Sequence, residues 1–370
     1  MEIFKRSLAL QQAGRDIISL GIGEPDFTAP QPVVDAMKRA ADQGLSQYGP
    51  AAGLSALRSA VATFYGEQFD APVDPHRVII TNGASGALLL GCLALINPGQ
   101  EVLMPDPSYP ANSNFIMAAG GTTRLIKTQA ADHYQPTAQQ IADHWRDQTA
   151  GILMASPSNP TGTSVDSQQL AQIIEAVHDK GGFLMMDEIY LGLSYSQARR
   201  SALAQSDDLI ILNSFSKYFH MTGWRLGWMI VPEALVAPIE KLASSLMICP
   251  PTLAQHGALA CFEPQTLAIL EHRREAFLAR RNYLVGALES MGLTVPAKPD
   301  GAFYVYADIS RFSNNSERLA SDLLEQAGVA VVPGIDFGPA HATSKIRLAY
   351  TVGLDRLEDA VSRMNAFLNG

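Results

Sequence analysis

Leu209-Ile210-Ile211-Leu212-Asn213-Ser214-Phe215-Ser216-Lys217-Tyr218-Phe219-His220-Met221-Thr222-Gly223-Trp224-Arg225-Leu226-Gly227-Trp228-Met229-Ile230-Val231 is the stretch on which the fold turns. Two apolar runs of strand length, 209–212 and 226–231, bracket a connection that contains Ser214, Ser216 and Gly223. Neither run alternates apolar with polar residues, which is the pattern of a strand covered on both faces. The polar residues are confined to the connection, with Lys217 in its middle and Arg225 at the mouth of the second run.

The same pattern repeats upstream. Apolar runs at 78–81, 102–104, 122–126, 151–154 and 183–186 are separated by amphipathic stretches such as 167–178. Strands alternating with helices predict an α/β core whose seven-stranded sheet is mostly parallel. Beyond Glu263-Pro264 the pattern changes. Residues 266–291 carry no Gly or Pro before Gly286, which predicts one long helix leading out of the core. A strand around 302–306, a helix at 316–326, short strands at 329–332 and 345–350 and a helix at 354–368 follow. The expected organisation is a large domain, 32–263, and a smaller α+β domain built from 1–31 and 264–370, with the linking helix inside 264–291. The first thirty residues offer no strand partner of their own and are expected to pack on the smaller unit.

Composition narrows the function classes. Apolar residues make up 47% of the 370 and charged residues 17%, which is ordinary globular usage and long enough for a sizeable core. The longest apolar runs, such as 87–96, fall far short of the roughly 20 residues a membrane-spanning helix needs. No membrane is expected as partner. Behind the charges of the N-terminus there is no apolar stretch, so neither a secretory signal nor a transit peptide is expected. Cys92, Cys249 and Cys261 are odd in number and lack CxxC spacing, which predicts reduced thiols in a cytoplasmic protein. The net charge of −9, without a Lys/Arg-rich run, argues against nucleic acid. Arg273-Arg274 and Arg280-Arg281 are expected to form the solvated face of the long helix. Eight histidines show no HExxH spacing, and no metal is expected. His220 is expected to be a bystander, and Met185, Met186, Met221 and Met247 core filler.

Four stretches place polar residues where strands end, the edge at which open α/β sheets bind ligands. Thr81-Asn82-Gly83-Ala84-Ser85-Gly86-Ala87 joins a strand to a helix, and its small residues would let the first helical N–H groups close on an anion, although they would equally serve as a cap. Ser156-Pro157-Ser158-Asn159-Pro160-Thr161-Gly162 is a turn by composition. In Met185-Met186-Asp187-Glu188-Ile189-Tyr190 an acid follows a buried run, which is costly unless the acid meets a cation or caps a helix. In the fourth stretch, Lys217 stands among Ser, Phe, Met and Gly with an arginine nearby. A lysine held desolvated beside cations has a lowered pKa and becomes a Schiff-base nucleophile, which predicts an aldehyde cofactor.

In this order and spacing, the four stretches resemble the class I and II aminotransferases, enzymes of fold type I that use pyridoxal 5′-phosphate (PLP). The resemblance runs from Leu20-Gly21-Ile22-Gly23-Glu24-Pro25-Asp26-Phe27 to Lys345-Ile346-Arg347-Leu348. It implies that Lys217 carries the cofactor and moves protons, that Asp187 pairs with the pyridine nitrogen, and that Tyr190 and Asn159 bond the phenolic oxygen. It further implies that Tyr109 stacks on the ring, and that Gly83, Ala84, Ser85, Ser214, Ser216 and Arg225 hold the phosphate. Arg347 would grip the substrate carboxylate as a planar fork, with Gly23 and Asn159 beside it. Tyr48 would reach the phosphate of the partner subunit in a homodimer with shared sites.

The implied reaction is ping-pong transfer of an amino group from an amino acid to a 2-oxo acid. A PLP-dependent β-carbon–sulfur lyase shares the same constellation, whereas a PLP-sensing regulator lacks its helix-turn-helix here. Family members that favour dicarboxylic substrates place a further cation for the distal carboxylate. Arg225 and Arg347 have other tasks and 246–251 is apolar, so a neutral or aromatic side chain is expected.

Overall fold

A computed structural model describes residues 2–195 and 199–370. In chain order its strands are β1 (Ile18–Ser19), β2 (Val78–Thr81), β3 (Glu101–Asp106), β4 (Thr122–Lys127), β5 (Thr149–Ala155), β6 (Phe183–Asp187), β7 (Ile210–Ser214), β8 (Gly227–Ile230), β9 (Tyr304–Asp308), β10 (Val329–Ala330), β11 (Val332–Pro333) and β12 (Lys345–Ala349). The large sheet has the order β2-β8-β7-β6-β5-β3-β4. All of its pairs are parallel except those of β8, which runs antiparallel to both β2 and β7. The expected mostly parallel seven-stranded sheet is therefore present.

The unbroken apolarity of the central strands has a direct cause. Alternate residues feed two different cores: Met186, Leu184, Ile211 and Trp228 pack on one face, and Met185, Ile210, Leu212 and Met229 on the other. Because strand side chains point to opposite faces in turn, a strand between two helical layers must be apolar at every position. At the edge, β4 is mostly uncovered and reads Thr122-Thr123-Arg124-Leu125-Ile126-Lys127.

A second, three-stranded sheet, β11-β12-β9, is antiparallel and has Arg347 in its central strand opposite Tyr306. The segment expected as one strand at 329–332 is split into β10 and β11. The N-terminal residues do find a strand partner, since Ile18–Ser19 pairs in parallel with Val329–Ala330. The periodicity missed this because two residues are too few to show a period. The helix expected at 316–326 is α-helical over Ser316–Asp322 and continues as a π-helical turn over Leu323–Ala327.

The long helix spans Pro264–Ser290, and its basic pairs are not a solvated face. Arg280 forms a bidentate pair with Asp26 at 2.8 and 2.9 Å, and Arg273 donates to the Thr28 carbonyl at 2.7 Å. The guanidinium carbons of both lie within 5.2 Å of the Phe27 ring centroid. Arg274 pairs with Glu271, and Arg281 bonds the Pro299 carbonyl. This helix is packed on several sides, so its arginines tie the N-terminal segment down. Cys92 and Cys261 are buried, Cys249 is half-buried, and none is in a disulfide. Met185, Met186 and Met221 are buried, and Met247 packs partly buried against the second core. Among the described residues no helix is long and apolar enough to cross a membrane.

Candidate active site

β2, β5, β6 and β7 end on Thr81, Ala155, Asp187 and Ser214, all at one edge of the large sheet because these strands run the same way. β8 runs opposite, so its beginning, Gly227, and Arg225 just before it come to that edge. There the structure encloses a cavity of about 350 Å³. Its lining brings together Lys217, Asp187, Tyr190, Asn159, Tyr109, Ala84, Ser85, Ser214, Ser216, Arg225, Gly23 and Arg347, from both sheets and the N-terminal segment.

Two expected residues do not line it. Gly83 lies just behind the lining: a Cβ on it would sit 2.8 Å from an Arg225 Nη, and its φ of +72° favours glycine. Tyr48 stays on the surface of its own chain, 81% exposed.

Lys217 Nζ donates to the Gly23 carbonyl at 2.7 Å. Its pKa is lowered to about 8, first by burial and then by Arg347 and Arg225, against the opposing charges of Glu24 and Asp187. About one Lys217 in ten is therefore a neutral amine at pH 7, against fewer than roughly one in a thousand for an ordinary lysine. In the cofactor-free protein, Lys217 should react with an amine-directed electrophile at a rate that rises with pH and reaches half its maximum near pH 8. A midpoint near the ordinary value, read by peptide mapping of the labelled protein, would refute the desolvated setting.

Asp187 is 6% exposed. Its Oδ1 accepts from the Ile189 N–H at 3.0 Å, and Oδ2 has no hydrogen-bond partner among the described residues. Burial raises its pKa to about 6, while the Ile189 N–H and Lys217 pull it down. Arg347 is 7% exposed yet meets no carboxylate among the described residues. It donates to Asn159 Oδ1 at 2.8 Å and to the Gly21 carbonyl at 2.6 Å, and its Nε is left without a partner. Its guanidinium carbon lies 4.4 Å from the Tyr304 ring centroid and 4.9 Å from that of Phe337.

Tyr304 was not expected at the site. It lines the cavity, and its hydroxyl shares a 2.8 Å hydrogen bond with Tyr190 Oη. A Cβ on Gly23 would fall 2.0 Å from that hydroxyl, so only glycine fits there. In sequence Tyr304 reads as one more apolar position of a strand. Its hydroxyl, costly to bury unbonded, was the available signal. His220 is buried between Phe27 and Phe277, with both ring nitrogens unpartnered.

The described lining thus carries three cations, Lys217, Arg225 and Arg347, and one carboxylate, Asp187. Asp187 and Arg347 are buried and Lys217 is desolvated, whereas Arg225 is exposed, and charges taken out of water need partners. A ligand set with a phosphate, a carboxylate and a protonated ring nitrogen balances them, and the small residues Gly83 and Ala84 at the start of the helix Gly83–Leu95 leave room for the phosphate. The residues present therefore fit PLP.

A family model described as aminotransferase class I and II matches residues 15–364. The chain is 36% identical over 370 residues to the valine–pyruvate aminotransferase of Mycobacterium tuberculosis, covering 100% of this chain and 95% of that one. It is 32% identical over 372 residues to the aspartate aminotransferase of Thermotoga maritima, covering 100% and 96%. A crystal structure of an aminotransferase from Mycobacterium tuberculosis superimposes with a TM-score of 0.95 at 36% identity, covering 100% and 95%. The aspartate aminotransferase of Thermus thermophilus with maleate does so with 0.93 at 32%, covering 99% and 96%.

Proposed function

Because this chain belongs to the class I and II aminotransferases, it is a PLP-dependent enzyme acting on amino and 2-oxo acids, and we propose that its amino-acid substrates carry neutral or aromatic side chains. The observation that carries this is the cation count of the cavity: Lys217, Arg225 and Arg347 each have a task, and no further cation lines it among the described residues. A distal carboxylate would be desolvated there without a partner. The name of the valine–pyruvate relative supports the same direction.

Bound PLP supplies an aldehyde for the amino group and a ring that withdraws electrons from the substrate α-carbon. Lys217 would carry the cofactor, and its Nζ would take up and return the substrate α-proton. Asp187 would keep the ring nitrogen protonated, and Tyr190 and Asn159 would bond the phenolic oxygen. Tyr109 would cover the ring face. The N–H groups of Ala84 and Ser85, with Gly83 beside them, would hold the phosphate together with Ser214, Ser216 and Arg225, and Arg347 would orient the substrate carboxylate beside Gly23. The cycle is ping-pong. The chain works as a homodimer in which Tyr48, nearly bare on its own subunit, reaches the partner's phosphate, and the division at residues 31/32 and 263/264 separates a large from a small domain. Three free thiols support a cytoplasmic setting.

The test is a half-reaction panel, with the PLP form mixed with each amino acid alone and the loss of its absorbance followed. Neutral or aromatic amino acids should convert it fastest. A preference for aspartate over every neutral amino acid would overturn the proposal.

A further inference from the structure

Glu188, the residue after Asp187, does not line the cavity and is 2% exposed. It is nevertheless wired to it. Its carboxylate accepts from Ser201 Oγ at 2.9 Å, from the Ala202 N–H at 2.7 Å and from Tyr65 Oη at 3.3 Å. Tyr65 Oη in turn accepts from Asn213 Nδ2 at 3.0 Å, and Asn213 Oδ1 accepts from the Ser214 N–H at 2.7 Å. Ser214 Oγ then accepts from the Ser216 N–H at 3.0 Å. All of these groups are buried.

The direction of each bond follows from the carboxylate. An ionised Glu188 only accepts, so the single Tyr65 hydroxyl proton is committed to it, and the hydroxyl oxygen is left as an acceptor. Asn213 must then present its NH₂ to Tyr65 and its carbonyl to the Ser214 N–H. Without Tyr65 Oη the amide loses the contact that tells its two ends apart, and Ser214 keeps its acceptor in only one of the two amide orientations. Ser214 is also the β7 residue paired with Gly227, where a Cβ would come within 2.8 Å of the Ala84 nitrogen. A shift at Ser214 therefore reaches both sides of the phosphate cup.

We propose that Glu188 is a positioning residue which, through Tyr65 and Asn213, fixes Ser214 and Ser216 in the geometry that grips the cofactor phosphate. This rests on the assignment of those serines to the phosphate. Burial raises the Glu188 pKa to about 7 against the donors around the carboxylate, so the ionised form that fixes these bond directions prevails above that pH.

The experiment titrates cofactor-free wild type, Tyr65→Phe, Glu188→Gln and Ser214→Ala with PLP and, separately, with pyridoxal, which lacks the phosphate. Tyr65→Phe should weaken PLP by about tenfold and leave pyridoxal within about twofold, as the loss of a hydrogen-bonded support confined to one end of the ligand would. Glu188→Gln should shift the same ratio in the same direction, and it serves as the readout if Tyr65→Phe does not fold. Equal weakening of PLP and pyridoxal would mark the network as general structure and overturn the proposal. Wild-type PLP affinity in both network variants, with Ser214→Ala impaired, would overturn it while leaving the phosphate assignment intact. Unchanged PLP affinity in Ser214→Ala would overturn the assignment and the proposal with it.

Discussion

Lys217→Ala is expected to abolish turnover and to leave the cofactor bound without a covalent link, so that borohydride no longer fixes it to the chain. Both effects follow from one atom. Lys217 Nζ is the only amine among the described residues of the lining, and proton transfer by a positioned base contributes on the order of 10² to 10⁴ in rate. Steady-state rates and mass spectrometry after reduction measure the two losses. Turnover at the wild-type level would end the assignment. The same variant tests the shared site when mixed with Tyr48→Ala. If Tyr48 serves the partner, one site of the mixed dimer collects both lesions and the other is wholly wild type, so activity rises above either parent. If Tyr48 serves its own chain, each site keeps one lesion and verified subunit exchange restores nothing.

Asp187→Asn is expected to keep PLP binding and to lose on the order of 10²-fold or more in kcat, because an amide does not hold a proton on the ring nitrogen and a preorganised charge at the reacting system is lost. A rate near wild type would remove the role given to Asp187. The substitution has a second consequence in the cofactor-free chain. Burial raises the Asp187 pKa to about 6 from an ordinary value near 3.8, so the fold favours the protonated acid, and its contribution to stability declines as pH rises through that window. The amide of the variant has no charge to bury. The cofactor-free variant should therefore melt above wild type at pH 7, and the difference should vanish as pH falls below about 4. A carboxylate that costs stability until a cation arrives is the mark of a functional site.

The site was legible in sequence wherever strand ends carried polar residues. Asp187, Ser214 and Lys217 stand out because an apolar run stops and a charge or hydroxyl begins, and strand direction alone then gathers them at one edge. Tyr304 was not legible, since within an apolar strand an aromatic residue facing a cavity and one facing the core look alike. The basic pairs of the long helix were misjudged for a related reason. Charge patterning assumes that a helix has a wet side, and the helix Pro264–Ser290 meets the N-terminal segment where Arg280 finds Asp26, 254 residues away.

What the sequence by itself determined is the local part: apolar period and turn chemistry act over a few residues and specify the seven strands, the long helix and the residue types at each strand end. The tertiary structure decided which distant groups share one desolvated space. Gly23 under Tyr304, Arg347 against Asn159 and Glu188 joined to Ser214 through Tyr65 are contacts between residues far apart in the chain. Burial and partner distance set their charge states and geometry, and neither quantity exists until the chain has closed on itself.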